Sequence, residues 1–286
     1  MKRLLISFFL LITLLVHAQD KATYHVYNKD GRPSDFTAMM KEASKADLTF
    51  FGELHDNSIA HWLELQVMKD LFAQRGKITV GMEMFEADNQ IILDEYLAGL
   101  IDEKLLLSEA KVWDNYKNDY KPLVEFAKEN KQRVIATNVP RRYANIVYKK
   151  GIDQLNIIAP EAKNWIATLP ITIDLALPGY KSMIDQMGGH GAPGSAENMA
   201  RSQAVKDATM AHFILKNRDF PFLHVNGSYH SQNFEGIVWY VKQADARIKI
   251  ITLQVVEQND ITQLENVNKG LADYIIAVPS DITKTY

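Results

Sequence analysis

The residues best suited to chemistry lie in two Gly-x-x-His tetrapeptides. Gly52-Glu53-Leu54-His55 follows the apolar run 48–51, and Gly227-Ser228-Tyr229-His230 follows the apolar run 222–225. Short apolar runs of this kind are typical of buried strands. If both strands are parallel in one sheet, their carboxyl ends open onto one edge, where open α/β sheets bind ligands. The repeated motif therefore predicts a site that combines two imidazoles and a carboxylate from distant parts of the chain.

A second carboxylate, Glu83, ends another strand-like run and is predicted to join Glu53, His55 and His230. Glu53 and His55 point to the same side of an extended segment. Two nitrogen and two oxygen donors suit zinc or another divalent first-row metal. The same groups suit general acid–base catalysis, with Glu53 and Glu83 as catalytic carboxylates. The alternative is that the carboxylates cap the helices that follow and that the histidines are structural.

A basic segment follows a third strand-like run, at residues 133–137. Asn138, Arg141 and Arg142 lie where this run enters a helical pattern. Such a position favours binding of an anionic group, for example a carboxylate or a propionate. A solvated basic face is the alternative, and it is the preferred interpretation for Arg142 alone.

The remaining histidines differ in their settings. His190 lies in the glycine- and proline-rich segment 170–193, where it can close over an apolar ligand together with Tyr180 and nearby methionines. Long segments of this kind are often functional, although a solvated loop histidine is the expected case. No site role is assigned to the others: His61 is expected to be packed or at the surface, His212 and His224 to be structural, and His25 to precede the first strand.

Strand-like and helix-like stretches alternate along the chain. This order favours an α/β fold, a mostly parallel sheet covered by helices, with a helical and loop insertion around residues 155–215. Strands are predicted at 48–51, 77–83, 133–137, 222–225, 247–256 and 272–278. Helices are predicted at 58–74, 89–98, 122–129, 141–151, 196–216 and 234–243.

Composition narrows the classes of function. The chain has no cysteine, which excludes disulfides, thiolate metal ligands and a lipid-bearing cysteine. Its formal net charge is −3 without a basic block, so nucleic acid is not an expected partner. A short basic start, an apolar core and small residues up to Ala18 predict a signal peptide over 1–18 and an exported, periplasmic or secreted protein. The rest, 19–286, is predicted to be a single α/β domain.

Six short motifs occur in a fixed order, at 51–57, 81–85, 113–115 with 119–120, 136–141, Gln203 with 207–211, and 227–230. Together they resemble the ChaN family of haem-binding, iron-uptake proteins. That family shares a superfamily with Tiki metalloproteases, TraB proteins and erythromycin esterases.

The resemblance implies an exported protein that binds haem in bacterial iron acquisition. It also implies a tyrosine iron ligand, a homodimer that sandwiches paired haems, and an outer-membrane haem receptor as a further partner. The candidate haem-binding residues are Tyr143, Tyr148, Tyr180, His190, Arg141 and Arg142. Similarity to the Tiki branch implies instead a divalent metal held by Glu53, His55 and His230. We therefore weigh a haem-binding protein against a metal-dependent hydrolase, and a non-catalytic binding scaffold as a third hypothesis.

Overall fold

The computed structural model describes residues 21–187 and 194–286. These residues form one eight-stranded sheet in the order β2-β1-β8-β7-β3-β6-β4-β5. The strands are β1 His25–Asn28, β2 Pro33–Ser34, β3 Leu48–Glu53, β4 Thr79–Glu86, β5 Arg133–Asn138, β6 Phe222–Gly227, β7 Ile250–Gln258 and β8 Tyr274–Pro279. Strands β3 to β8 are mutually parallel, whereas β1 is antiparallel to β2 and β8. The predicted α/β fold with a mostly parallel sheet is confirmed.

Helices cover both faces of the sheet. They are α1 Phe36–Ala43, α2 Ser58–Arg75, α3 Gln90–Leu97, α4 Glu103–Glu109, α5 Lys121–Glu129, α6 Arg141–Lys150, α7 Pro178–Met187, α8 Ser195–Lys216 and α9 Ile237–Ala244. Helix α2 begins where the Asn57 side chain accepts the backbone N–H of Ala60 at 3.0 Å. It ends at Gly76, whose φ of 73° is the left-handed conformation that glycine adopts readily.

The centre of the sheet joins the two halves of the chain. Strand β6 lies between β3 and β4, with Gly227 in register beside Glu53. Every residue of β3, β4 and β6 is buried, as expected for parallel strands covered on both faces. The position of β6 between β3 and β4 brings the second Gly-x-x-His motif next to the first.

Two apolar cores lie on opposite faces of the sheet. Phe51 packs in the larger core with residues of α2 and α5, and its neighbour Phe50 packs in the other core with residues of α8 and α9. Successive strand side chains point to opposite faces, so adjacent phenylalanines serve both layers. Both faces of the sheet are thereby packed against helices, and the candidate site residues lie at its carboxyl edge.

Some predicted boundaries are wrong. The edge strand β1 was not predicted, and His25 lies in it rather than before the first strand. Strand β7 starts at Ile250, three residues after its predicted start. Segment 170–193 was predicted to be either irregular or a short-helix insertion, and within it Pro178–Met187 is helical and packs through Tyr180 against α8. The predicted signal peptide and His190 lie outside the described residues, and no described helix has the length and hydropathy to cross a membrane.

Candidate functional site

Glu83, His230 and His55 meet around the end of β6. The Glu83 carboxylate accepts the backbone N–H of Gly227 at 2.8 Å, and its other oxygen lies 3.2 Å from Nε2 of His230. The His55 ring lies against Gly227, where a Cβ atom would be 2.6 Å from Nε2. Glu53 joins them through Oε1, which is 2.6 Å from Nδ1 of His55. The four side chains singled out in the sequence are therefore neighbours at the carboxyl edge.

His230 is held between two carboxylates. Its Nδ1 lies 2.5 Å from Oδ1 of Asp207, on α8, and its Nε2 faces Glu83. Burial alone would lower the pKa of His230, but the charges of Glu83 and Asp207 outweigh it and raise the pKa to about 10. Burial would raise the pKa of Glu83, yet the charge and hydrogen bond of His230 hold it well below the usual range. The group is an ion triad that stays charged at neutral pH, so Glu83 is a poor proton acceptor there.

Tyr180, on α7, contacts the triad through Asp207. The Tyr180 hydroxyl donates to the second oxygen of Asp207 at 2.6 Å, and its side chain is buried. Burial, followed by the charge of Asp207, raises the Tyr180 pKa far above its usual value. In this arrangement the hydroxyl is committed to Asp207 and is not free to bind iron as a tyrosinate.

Glu53 and His55 form a pair with intermediate proton affinity. Burial, followed by the charge of Glu64, raises the Glu53 pKa to about 7 against the opposing effects of His55 and His61. Burial acts to lower the His55 pKa, but the hydrogen bond and charge of Glu53 outweigh it and raise the pKa. The His55 side chain is 37% exposed and Glu53 is fully buried. His55 is therefore the member of this pair that can exchange a proton with a ligand near neutral pH.

Aromatic and amide groups orient the His55 segment. Trp113 meets the His55 ring edge-on at 5.0 Å between centroids, and the Tyr120 hydroxyl donates to Glu53 at 2.9 Å. The Asn115 amide donates to the backbone carbonyl of His55 at 3.1 Å and to Asp119 at 2.8 Å. These residues lie in and just before a π-helical turn, Tyr116–Tyr120, of a kind that is frequent at functional sites.

Helix α2 adds two ionisable groups beneath Glu53. Nδ1 of His61 lies 3.1 Å from Oε2 of Glu53 and 3.3 Å from Oε1 of Glu64, and all three side chains are buried. One ligand atom from each lies within 4.8 Å of the others, so the trio could hold a metal ion. This trio shares only Glu53 with the predicted metal ligands. His61, expected to be a packed or surface residue without a site role, is buried inside the site.

A cleft of about 770 Å³ opens beside His55. It is lined by Glu86, Trp113, Arg141, Arg142, Ile146 and Tyr286, among others. This volume is in the range of pockets that hold small molecules and cofactors, about 300–1,000 Å³. Trp113 forms part of the cleft wall and contacts the His55 ring, so the wall connects the cleft to the polar residues behind it.

The predicted haem-binding residues occupy different settings. Arg141 is exposed and lines the cleft. Arg142 also lines it but forms an ion pair with Asp88 at 2.6 Å and stacks 4.6 Å from the Tyr143 ring, so it is not a simple solvated cation. Tyr143 is buried in the core. Tyr148 is half-buried and lies two turns after Arg141 on the same face of α6 by helix periodicity.

Sequence reasoning missed the roles of several buried polar residues. Asp207 and Glu64 lie within helices, where a single carboxylate usually indicates a solvated face. Their helical spacing carries a signal: Glu64 shares a helix face with Ala60, Val67 and Met68, and Asp207 shares one with Ala204, Met210 and Ala211, all of which are buried. A buried carboxylate requires a partner, and that requirement is the clue to a site.

Comparison with known proteins agrees with this geometry. In solved structures, the chain is similar to a protein described as "Cofacial heme binding to ChaN of Campylobacter jejuni", at 18% identity and a TM-score of 0.66, covering 88% of this chain and 96% of that one. A Bacillus cereus protein aligns at 11% identity and a TM-score of 0.54, covering 89% and 95%. Both similarities support the fold. Among curated proteins, none matches significantly.

A protein-family profile described as "Haem-binding uptake, Tiki superfamily, ChaN" matches residues 39–241. The match spans β3 to β6 and α9, and so contains Glu53, His55, Glu83, Asp207 and His230. Because it covers more than half of the 286 residues, the chain belongs to the ChaN family of haem-binding uptake proteins in the Tiki superfamily.

Proposed function

We propose that this chain is an exported protein that binds haem in the cleft beside His55 and serves bacterial haem or iron acquisition. The observation that carries the proposal is the cleft itself, about 770 Å³ in volume, with Trp113 on its wall and Arg141 at its edge. A porphyrin requires an apolar wall, an axial donor and cations near its propionates. The family to which the chain belongs supports the same ligand.

The residues present fit these requirements. Trp113 and Ile146 supply apolar surface in the cleft, and Arg141 supplies a cation that makes no ion pair within the described residues. Tyr286 is exposed and lines the cleft, and Tyr148 is half-buried on the face of α6 that carries Arg141 by helix periodicity. Bound haem would supply the iron centre, while the protein would shield the ring and hold its charged edge. Of the predicted tyrosine ligands, Tyr148 suits the role best, because Tyr143 and Tyr180 are buried.

The proposal includes a homodimer that encloses paired haems. An open cleft covers one side of a flat ring, so the second side is available to another haem and a second copy of the chain. The related Campylobacter jejuni protein is described as binding haem cofacially. Export through the signal peptide at 1–18 and delivery from an outer-membrane haem receptor belong to the same proposal. N-terminal sequencing of the protein recovered outside the cytoplasm should begin at Gln19, and recovery of an intact Met1 would contradict export by cleavage.

Titration with haemin tests the central proposal. We expect a saturable shift of the Soret band with tyrosinate character, and an increase in mass to a dimer on loading. Tyr148→Phe should remove the tyrosinate character, whereas Tyr143→Phe, a matched change on the same helix but in the core, should keep it. Spectra identical to free haemin at every ratio would contradict haem binding.

A second candidate function, a metal-dependent hydrolase, is favoured by the Glu53–His55 pair. The Glu53 pKa of about 7 lies where a general base or acid works best, and His55 contacts Trp113, which lines the cleft. A metal held by Glu53, His55 and His230 would supply activated water. Both ring nitrogens of His230 already face carboxylates, so this ligand set requires Glu83 to release His230 or to share the ion. Hydrolytic assays of purified protein and of His55→Ala test the candidate: equal rates would exclude it.

A further inference from the structure

A buried group of three side chains lies outside the residues used above for haem. It joins Glu53 at the end of β3 to His61 and Glu64 on the first turns of α2. Glu53 is 1% exposed, Glu64 is 0% exposed and His61 is 6% exposed. Among residues 21–187 and 194–286, four polar atoms of the group find no hydrogen-bond partner: Oε2 of Glu53, Nδ1 of His61, and both carboxyl oxygens of Glu64. Unpartnered buried polar atoms are rare and costly, so this concentration requires an explanation.

The hydrogen bond at Nε2 of His61 determines which of its two ring nitrogens carries the proton. Nε2 of His61 lies 3.0 Å from the backbone carbonyl of His55, which can only accept. Nε2 must therefore carry the proton, and in the neutral ring Nδ1 presents a lone pair. That lone pair faces carboxyl oxygens of Glu53 at 3.1 Å and Glu64 at 3.3 Å. Three acceptors facing one another in a buried place repel unless a positive charge or a proton lies between them.

The spacing of these atoms matches the edges of a metal coordination shell. Ligand atoms at about 2.1 Å from a metal lie about 3.0–3.4 Å from each other in octahedral or tetrahedral geometry. The His61 nitrogen and the two carboxyl oxygens are separated by 3.1 and 3.3 Å. A ligating histidine almost always donates its other N–H to a carbonyl or a carboxylate, and Nε2 of His61 does so.

We propose that Glu53, His61 and Glu64 bind a divalent first-row transition metal between the end of β3 and helix α2. Two carboxylates neutralise a divalent ion, so the filled site adds no net charge to the interior. Mixed imidazole and carboxylate donors suit zinc, manganese or ferrous iron. The ion would join β3 to α2 and would hold Glu53, whose other oxygen orients His55. This site is separate from the haem cleft and does not depend on haem binding.

A shared proton is the competing explanation for the same contacts. Burial raises the pKa of Glu64 well above its ordinary value, so Glu64 can retain a proton when no metal is present. The two arrangements differ in what they do with added metal: a proton-sharing pair excludes it, whereas the proposed site takes one ion per chain and releases protons.

The experiment uses the full chain, stripped with chelator and then titrated with Zn²⁺ and Co²⁺ in the absence of haem. We expect one Zn²⁺ per chain by elemental analysis, a Co²⁺ visible spectrum typical of nitrogen and oxygen ligands, and a rise in Tm of about 5 °C or more at saturation. Glu64→Gln keeps the shape of the side chain but removes a ligand, and should weaken Zn²⁺ binding about 100-fold or more. Asp70→Asn, on the same helix but outside the trio, is the matched control and should bind as the native chain does.

Two outcomes overturn the proposal. One is no stoichiometric Zn²⁺ or Co²⁺ in the native chain after loading, with no change in Tm. The other is equal Zn²⁺ affinity in Glu64→Gln and the native chain, which would place the ion elsewhere. Glu64→Gln and the Co²⁺ spectrum together decide the question. Haemin titration of the same samples reports separately on the cleft.

Discussion

The His55 ring lies directly against the main chain of Gly227, so that a Cβ atom at Gly227 would lie 2.6 Å from Nε2 of His55. The glycine of the second Gly-x-x-His motif therefore makes room for the histidine of the first. The φ of Gly227, −56°, is accessible to any residue, so this glycine is required by the close approach and not by its backbone conformation. The two motifs form one contact across neighbouring strands β3 and β6.

Gly227→Ala should displace the His55 ring. The added methyl group would meet both Nε2 and Cε1 of His55 at under 3 Å, and overpacking of this kind costs about 1–3 kcal/mol. We expect the free energy of unfolding in urea to fall by that amount. The pKa of His55, followed by NMR, should move toward its ordinary value as the ring leaves Glu53.

Ser228→Ala is the control for that variant. Ser228 is the next residue and its side chain makes no hydrogen bond within the described residues, so its loss should change stability by less than about 0.5 kcal/mol. Equal stability and an equal His55 pKa in Gly227→Ala and the native chain would contradict the close contact.

Asp207→Asn should change the dependence of stability on pH. His230 has a folded pKa of about 10, above its unfolded value of about 6.5. Its contribution is therefore fully present below pH ~6.5 and is lost as pH rises toward 10. Without the Asp207 charge, the fall in the free energy of unfolding between pH ~6.5 and pH 10 should be smaller. Breaking the buried pair should also lower the free energy of unfolding at pH 7 by about 3–5 kcal/mol. Urea unfolding from pH 6 to pH 10 measures both effects.

The matched change is Asp185→Asn, which removes an exposed carboxylate from the i,i+4 pair with Lys181 on α7. Exposed pairs of this kind contribute about 0.3–0.5 kcal/mol, so its curve should run close to that of the native chain. If the Asp207→Asn curve is parallel to the native one across the whole range, Asp207 does not control His230.

Two buried histidines, one within β6 and one just after it, should have pKa values on opposite sides of the ordinary imidazole pKa. Burial lowers the pKa of His224 to about 4, and its ring nitrogens contact Thr137 and Asn226, which are neutral. His230 faces carboxylates instead, and its pKa is about 10. Histidine ring NMR from pH 5.5 to pH 8.5 should therefore show His224 predominantly neutral and His230 predominantly charged. His224→Gln and His230→Gln assign the signals, and a titration of either ring near pH 6.5 would contradict the assignment.

The sequence predicts the central strands of the sheet better than the edge strand β1. Strands β3, β4, β5 and β6 each contain a short apolar run that is buried in the sheet, and these runs make them visible in the sequence, because a parallel strand covered on both faces shows little polar alternation. The short strand β1 joins the sheet through antiparallel pairing with β8, far away in the chain, and its sequence has no pattern that anticipates the pairing. Helix α7 lies in the segment predicted to be a helical and loop insertion, but its bounds were not predicted, because Pro178 and Gly179 look like breakers although proline is tolerated at the first position of a helix.

The residues of the site also differ in how well the sequence predicts them. Glu53, His55, Glu83 and His230 follow strand-like runs, so the parallel sheet alone predicts that they lie together. His61 and Asp207 reach the site from helices α2 and α8, and which face of a helix turns inward depends on packing between distant parts of the chain. Tyr148 and Arg141 could be placed on one helix, but their relation to Trp113 depends on the course of the segment before α5, which has no periodic pattern.

Arg141→Gln should weaken haem binding if the cleft beside His55 holds the propionate edge. Arg141 lines the cleft without an ion pair in the described residues, whereas Arg142 is already paired with Asp88. A charge-assisted hydrogen bond to a carboxylate contributes about 1.5–3 kcal/mol, so the Kd for haemin should rise about 10–100-fold, and the loss should shrink at high salt. Arg133→Gln removes a cation at the opposite end of β5, where Arg133 contacts Asn217, and is the control for charge alone. An equal Kd in Arg141→Gln and the native chain, measured by Soret titration at low salt, would place the propionates elsewhere, because a guanidinium that donates to a carboxylate stabilises its binding.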